Sequence, residues 1–127
     1  MPHIDHIGLW VKDLDAAADF YVSSLGATAG RRYHNPKTGF SSAFVTWGDG
    51  ARLELMNLPD LAEPGATVVY GYAHISLSLG SEAAVDELTA RLASAGHPVL
   101  SGPRRTGDGY YESVVLDPEG NRVELAA

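Results

Sequence analysis

Hydrophobic and polar positions change rhythm twice along the chain, in the same order each time. Over residues 4–11 the alternation has period two. Ile7, Leu9 and Val11 fall on one face of a predicted strand, and His6, Gly8 and Trp10 on the other. The period then lengthens. Leu14, Ala17, Tyr21 and Leu25 recur at helical spacing, Asp13 stands where an N-cap belongs, and Gly26 suits the C′ position. Shorter strands are predicted over 27–33, 41–47 and 51–56, the last two joined by the hairpin signal Gly48-Asp49-Gly50.

Residues 57–69 are polar, with Pro59 and Pro64, and read as a connector. The cycle then restarts. Ala73, Ile75, Leu77 and Leu79 face one way, and His74, Ser76 and Ser78 the other. Ser81 can cap a helix with the stripe Val85, Leu88, Leu92 and Ala95, ended by Gly96. Strands follow over 98–100, 110–116 and 122–125, the last two joined by the turn Asp117-Pro118-Glu119-Gly120-Asn121.

The chain thus repeats itself: His6-Ile7-Gly8-Leu9 is answered by His74-Ile75-Ser76-Leu77, and Leu53-Glu54-Leu55 by Val123-Glu124-Leu125. The expected fold class is α+β, two tandem βαβββ modules whose sheets form a curved, cup-like surface with the helices outside. One domain over 1–127 is expected, with module one at about 1–57, a linker at about 58–69 and module two at about 70–127.

Each His and each Glu of the repeat is flanked in sequence by apolar residues. If those neighbours pack on a helix, His6, Glu54, His74 and Glu124 all project to the other face. A carboxylate enclosed there without a partner costs several kcal/mol or takes up a proton. A divalent cation relieves both carboxylates together. Two imidazoles and two carboxylates leave room for two waters or substrate oxygens around Ni, Co, Mn, Fe or Zn. A single strand His is more often a hydrogen-bonded core or surface residue, but four such residues in a duplicated pattern favour the metal.

Composition removes several alternatives. Of 127 residues, 45% are hydrophobic and 20% charged, as in ordinary globular proteins. A net charge of −7 argues against nucleic-acid and anionic-membrane partners. The basic pairs Arg31-Arg32 and Arg104-Arg105 are isolated; they read first as solvated turn residues and second as anion contacts. With no cysteine, disulfides, thiolate sites and a Cys nucleophile are excluded. Asp5, Lys12, Asp13 and Asp15 interrupt any signal-like apolar run, and no stretch approaches a membrane span, so a cytoplasmic location is expected.

At these residues the chain resembles the vicinal oxygen chelate superfamily, which contains glyoxalase I, bleomycin-resistance proteins and extradiol dioxygenases. The resemblance extends through Val11-Lys12-Asp13-Leu14, Asp19-Phe20-Tyr21, Leu25-Gly26, Arg52-Leu53-Glu54-Leu55-Met56 and Ala73-His74-Ile75 to Val123-Glu124-Leu125. It is closest to glyoxalase I, whose four metal positions are matched by His6, Glu54, His74 and Glu124. It implies a homodimer in which each site takes His6 and Glu54 from one chain and His74 and Glu124 from the other. Glyoxalase I of bacteria places an Arg, which holds a glutathione carboxylate, where this chain has Trp10. An indole stacks on flat or apolar groups instead. A substrate other than the glutathione adduct is therefore expected.

Around this set, Tyr110 and Tyr111 follow the loop Thr106-Gly107-Asp108-Gly109 and read either as ligand contacts at a closing mouth or as strand residues after a hairpin turn. The polar run from Tyr33 to Gly39 is a candidate facing lip, with His34 a lesser candidate ligand or base. His3 and His97 are expected in solvent, Phe44 and Trp47 in the core or a dimer contact, and Met56 on the lining.

Three activities follow. In the first, a metal-dependent lyase or isomerase acts through a chelated enediolate, with Glu124 as base and Glu54 its counterpart. In the second, a bleomycin-resistance type of protein holds an aromatic antibiotic without turnover, using Trp10, Tyr110 and Tyr111. The third is an extradiol dioxygenase with Fe(II) on His6, His74 and Glu124.

Overall fold

Asp13 ends an extended stretch, and its carboxylate accepts a hydrogen bond from the Ala16 N–H, one of the donors that a helix start leaves open. This local event begins the first helix of a computed structural model that describes residues 4–63 and 72–127. The chain divides into two compact units, Met1–Gly65 and Ala66–Ala127. His3 and positions 64–69 of the expected connector lie outside the described residues.

In the first unit β1 (His6–Trp10) leads to α1 (Leu14–Asp19). The helical stripe does not continue in one form: Phe20–Ser24 is a π-helical turn, in which the adjacent rings of Phe20 and Tyr21 are both buried and meet edge-on at 5.4 Å. Gly26 follows with φ of 74°, the left-handed step that lets the chain leave the helix. The expected strand over 27–33 is instead two short ones, β2 (Thr28–Ala29) and β3 (Tyr33–His34), both antiparallel to β4 (Ser41–Thr46). β5 (Arg52–Asn57) pairs antiparallel with β4 and parallel with β1.

α1 packs on β4 and β5. Ala43, Val45, Leu53 and Leu55 are buried, while the intervening Phe44 and Glu54 are only half-buried. Burying one Val or Leu contributes roughly 1.5–3 kcal/mol. A one-residue slip would forfeit the whole apolar set, so the register is strongly specified.

The second unit repeats the plan: β6 (His74–Ser78), α2 (Glu82–Ser94), β7 (Val99–Arg105), β8 (Tyr111–Leu116) and β9 (Arg122–Ala126), in sheet order β6-β9-β8-β7. Ser81 caps α2 by accepting from the Ala84 N–H. Val85, Leu88 and Leu92 of the helix are buried, as are Val115, Val123 and Leu125 of the sheet on which it packs. Among them the Thr89 hydroxyl donates to the Val85 carbonyl at 2.6 Å and lies 2.7 Å from the Ser113 hydroxyl.

β7 outruns its predicted span of 98–100 and continues to Arg105 through Gly102 and Pro103, shifting register twice against β8. As the sheet's edge strand it can carry a residue without an N–H. The fold is α+β, with a helix on one face of each sheet. Among the described residues no helix is long and apolar enough to cross a membrane.

Candidate functional site

The first half of the candidate site rests on the register of β1 against β5. His6 lies opposite Arg52 and Gly8 opposite Glu54, so the two functional side chains are diagonal neighbours on the face away from α1. Nε2 of His6 lies 3.6 Å from a Glu54 carboxylate oxygen. The other ring nitrogen, Nδ1, is 2.8 Å from Asp5 Oδ2. If Nδ1–H donates to that carboxylate, Nε2 keeps its lone pair on the side of Glu54, the arrangement that orients metal-ligating histidines. Asp5 also accepts from Arg52 at 2.6 Å. The His6 bond first and Arg52 second hold the Asp5 carboxyl below its ordinary range. The His6 ring meets Phe44 edge-on at 5.4 Å, and the Arg52 guanidinium lies 4.3 Å above the same Phe44 ring.

The second half repeats the register. His74 is opposite Arg122, Ser76 opposite Glu124, and His74 Nε2 lies 3.2 Å from Glu124. Its imidazole has no counterpart of Asp5, because Ala73 stands there. In both pairs the carboxylate is the deeper member, with Glu54 at 20% and Glu124 at 17% side-chain exposure against 41% and 43% for the histidines.

A third carboxyl joins the second pair, and sequence reasoning missed it. Glu112 and Val114 alternate on β8 with the buried Ser113 and Val115, and Val114 lies opposite Glu124. Glu112 is therefore on the Glu124 face. It holds its proton to higher pH than an ordinary Glu, chiefly through a hydrogen bond shared with Glu124, although Arg104 works in the other direction. Period-two counting from Val115 would have placed it.

Other candidates are distributed unevenly. Trp10 is 48% exposed on the His6 face of β1, and Met56 follows Glu54 on β5. The Met56 methyl lies over Gly8, where an added Cβ would sit 2.9 Å from it. Tyr111 is turned to the helix side: its hydroxyl donates to Asp86 of α2 at 2.5 Å, and Arg105 lies over its ring. The structure therefore does not bring Tyr111 to the His74–Glu124 face. Tyr110 is exposed at a hairpin turn closed by the Thr106 N–H donating to the Tyr110 carbonyl at 2.7 Å. The run 33–39 forms β3 and a second closed turn, with the Asn35 N–H donating to the Phe40 carbonyl. His34 Nδ1 there is 2.8 Å from the Ser41 hydroxyl. His97 is half-buried, its N–H closing the end of α2 on the Leu92 carbonyl. Trp47 is half-buried and donates to the Leu25 carbonyl.

Within either unit no three His, Asp or Glu side chains among the described residues gather as a metal-holding set. Each unit supplies one nitrogen–oxygen pair. Two donors bound to one ion at about 2.0–2.2 Å each, at right angles, lie roughly 3 Å apart. Separations of 3.2 and 3.6 Å leave each pair within a small adjustment of that spacing.

The sequence matches the family described as Glyoxalase/Bleomycin resistance protein/Dioxygenase superfamily over residues 3–125. It is 34% identical to an uncharacterised protein of Pseudomonas aeruginosa, over 98% of this chain and 88% of that one. It is 32% identical to a lactoylglutathione lyase of Escherichia coli O157:H7, over 94% of this chain and 88% of that one. Among solved structures, the trypanothione-dependent glyoxalase I of Leishmania major superposes with a TM-score of 0.81 at 24% identity, over 99% of this chain and 86% of that one.

Proposed function

Because the chain belongs to the Glyoxalase/Bleomycin resistance protein/Dioxygenase superfamily, we propose that it is a metal-dependent lyase or isomerase of the glyoxalase I kind. Members of this superfamily bind small molecules, often form dimers and typically use a divalent metal ion. The observation that carries the reading is the duplication itself. Two units present a His and a Glu at equivalent register positions, on the face that the helix leaves free. His6, Glu54, His74 and Glu124 are the proposed donors to a divalent ion (Ni, Co, Zn, Mn or Fe), in a homodimer. An ion held there would supply Lewis acidity that stabilises negative charge developing on the substrate.

The chain's own residues do the rest. Glu124 takes the proton from the substrate carbon and returns it to the adjacent carbon, and Glu54 is its counterpart. A carboxylate is a weak base toward carbon, so the substrate C–H must be acidified for this transfer to proceed. Glu112, whose carboxyl shares a hydrogen bond with Glu124, keeps that carboxylate oriented. Asp5 fixes the His6 ring. Trp10 and Met56 receive the unreactive part of the substrate, and Tyr110, exposed at the β7–β8 hairpin, is a further candidate contact.

A second reading, a binding protein for a flat small molecule, is favoured by the exposure of Trp10 on the face that carries the His6–Glu54 pair. Elemental analysis of metal per chain, joined to turnover assays of Glu124→Gln, separates the two. About one ion per chain and loss of turnover with retained substrate binding support the lyase. Absence of metal binding in excess metal, or full activity of Glu124→Gln, overturns it.

A further inference from the structure

The residues Trp10, Met56, Ser42 and Tyr33, walled by Phe40, form an uncharged row across the first unit's sheet. We propose that this row is a subsite for an uncharged aromatic ring carried by the substrate. The proposal deepens the reading above, since it gives the unreactive end of the substrate a chemistry.

Register builds the row. Trp10 on β1 lies opposite Met56 on β5, Met56 opposite Ser42 on β4, and Ser42 opposite Tyr33 on β3. All four share the face that carries His6 and Glu54, because side chains alternate along each strand. The parallel row through His6 and Arg52 is charged, and Asp5 joins it. The row through Trp10 contains no charged side chain.

Its shape is that of a small floor between aromatic walls. Ser42 is only 5% exposed, although it lies between residues as open as Trp10 at 48% and Tyr33 at 55%. The larger side chains therefore rise around it. Phe40 links the two walls, 6.3 Å and nearly perpendicular to Trp10, and 6.0 Å and tilted at 55° to Tyr33. Neither contact is a face-to-face stack, so ring faces remain for a further ring to meet in the offset or edge-on geometry that aromatic groups prefer.

Spacing connects the row to the reacting end. Met56 is two residues beyond Glu54, and Trp10 four beyond His6, or about 7 and 13 Å along the strands. The Met56 methyl lies over Gly8 and fills the step between the two regions. A ligand that reacts at the His6–Glu54 pair can lay a ring against Trp10 without leaving this face. A carboxylate at the same place would lose water without gaining a cationic partner in the row.

The test is a binding titration on the full chain, with and without added Zn. The probes are 2-naphthalenemethanol and 2-naphthoate, followed by the indole N–H NMR signals of Trp10 and Trp47. Trp10→Phe assigns the Trp10 signal. The alcohol is expected to shift that signal alone and to bind about 10-fold more tightly than the carboxylate, a difference of about 1.4 kcal/mol. Trp10→Ala and Tyr33→Ala are each expected to weaken it about 5- to 10-fold, and Trp10→Phe to retain most of the affinity. Equal or tighter binding of 2-naphthoate in the absence of Zn overturns the proposal. So does binding indifferent to both alanine variants, or no shift at Trp10, as when a second copy already covers the row. Probe binding without metal uptake would leave the subsite standing and remove the lyase reading. Metal uptake without probe binding would do the reverse.

Discussion

Asp5 Oδ2 lies 2.8 Å from His6 Nδ1, while His74 has an alanine at the matching position. The two halves of a duplicated site thus differ in how firmly their imidazoles are held. An outer carboxylate fixes both the tautomer and the ring orientation of a ligating His, and its loss typically weakens metal affinity by about 10- to 100-fold. Asp5→Asn is therefore expected to lower affinity for a divalent ion within that range. The fold should be untouched, because Asp5 is exposed and its other partner, Arg52, reaches water. Calorimetric titration of metal-stripped protein measures the first effect, and thermal unfolding without metal measures the second.

The hydroxyls of Thr89 and Ser113 form a buried pair. Thr89 donates to the Val85 carbonyl, so its oxygen accepts from Ser113. Thr89→Val removes that acceptor and leaves a buried hydroxyl unpaired, at a cost of about 1–3 kcal/mol. Ser113→Ala removes only the donor and should cost less. With both changed, no polar group is stranded, so the double variant is expected to be more stable than the sum of the single losses predicts. Chemical denaturation of the four proteins gives the coupling directly.

How much of this was legible beforehand depends on which physical signal was local. Asp13 and Ser81 were found as caps because a cap needs only one short polar side chain before an apolar stripe. The faces of His6, Glu54, His74 and Glu124 followed from period-two alternation, which the structure carries out in both sheets. The π-helical turn at Phe20–Ser24 left no mark, since Tyr21 and Leu25 continue an acceptable α-helical stripe. β7 runs past Leu100 through Gly102 and Pro103, breakers that a strand can carry at the sheet edge. Alternation alone puts Glu112 on the face of Glu124 and Tyr111 on the helix side, a distinction that the reading of Tyr110 and Tyr111 as ligand contacts or strand residues did not draw.

That placement gives Tyr111 a testable titration. Its phenol is held above its ordinary pKa, first by the hydrogen bond that it donates to Asp86 and then by partial desolvation and the negative charge of Asp86 and Glu82. A group whose folded pKa exceeds its unfolded value contributes stability that is complete below the unfolded pKa. The contribution is lost as pH rises through the folded pKa. Stability from this contact should therefore be intact at neutral pH and fade above about pH 10, the ordinary tyrosine value. Tyr111→Phe should lose this alkaline component while leaving ligand binding at the other face unchanged. Ultraviolet titration of the phenols and unfolding between neutral and alkaline pH measure both.

Gly8 and Gly102 lie on the two sheets and predict opposite responses to alanine. At Gly8 the backbone is ordinary strand, and the atom that a Cβ would meet at 2.9 Å is the terminal methyl of Met56. A flexible thioether can swing aside. Gly8→Ala should thus cost less than about 1.5 kcal/mol, but it displaces the residue that bridges Glu54 and the Trp10 row. At Gly102 the backbone has φ of 80°, and a Cβ would lie 2.6 Å from the Glu112 carbonyl oxygen and 3.0 Å from the Ser113 Cα. Those atoms belong to β8 and cannot move alone, so Gly102→Ala combines left-handed strain of about 1–2 kcal/mol with a clash against backbone. It is expected to cost more than about 3 kcal/mol, and to disturb Glu112 and the buried Ser113 before any other part of the second unit. Equal stability losses for the two variants would show that the β7–β8 pairing yields at Gly102.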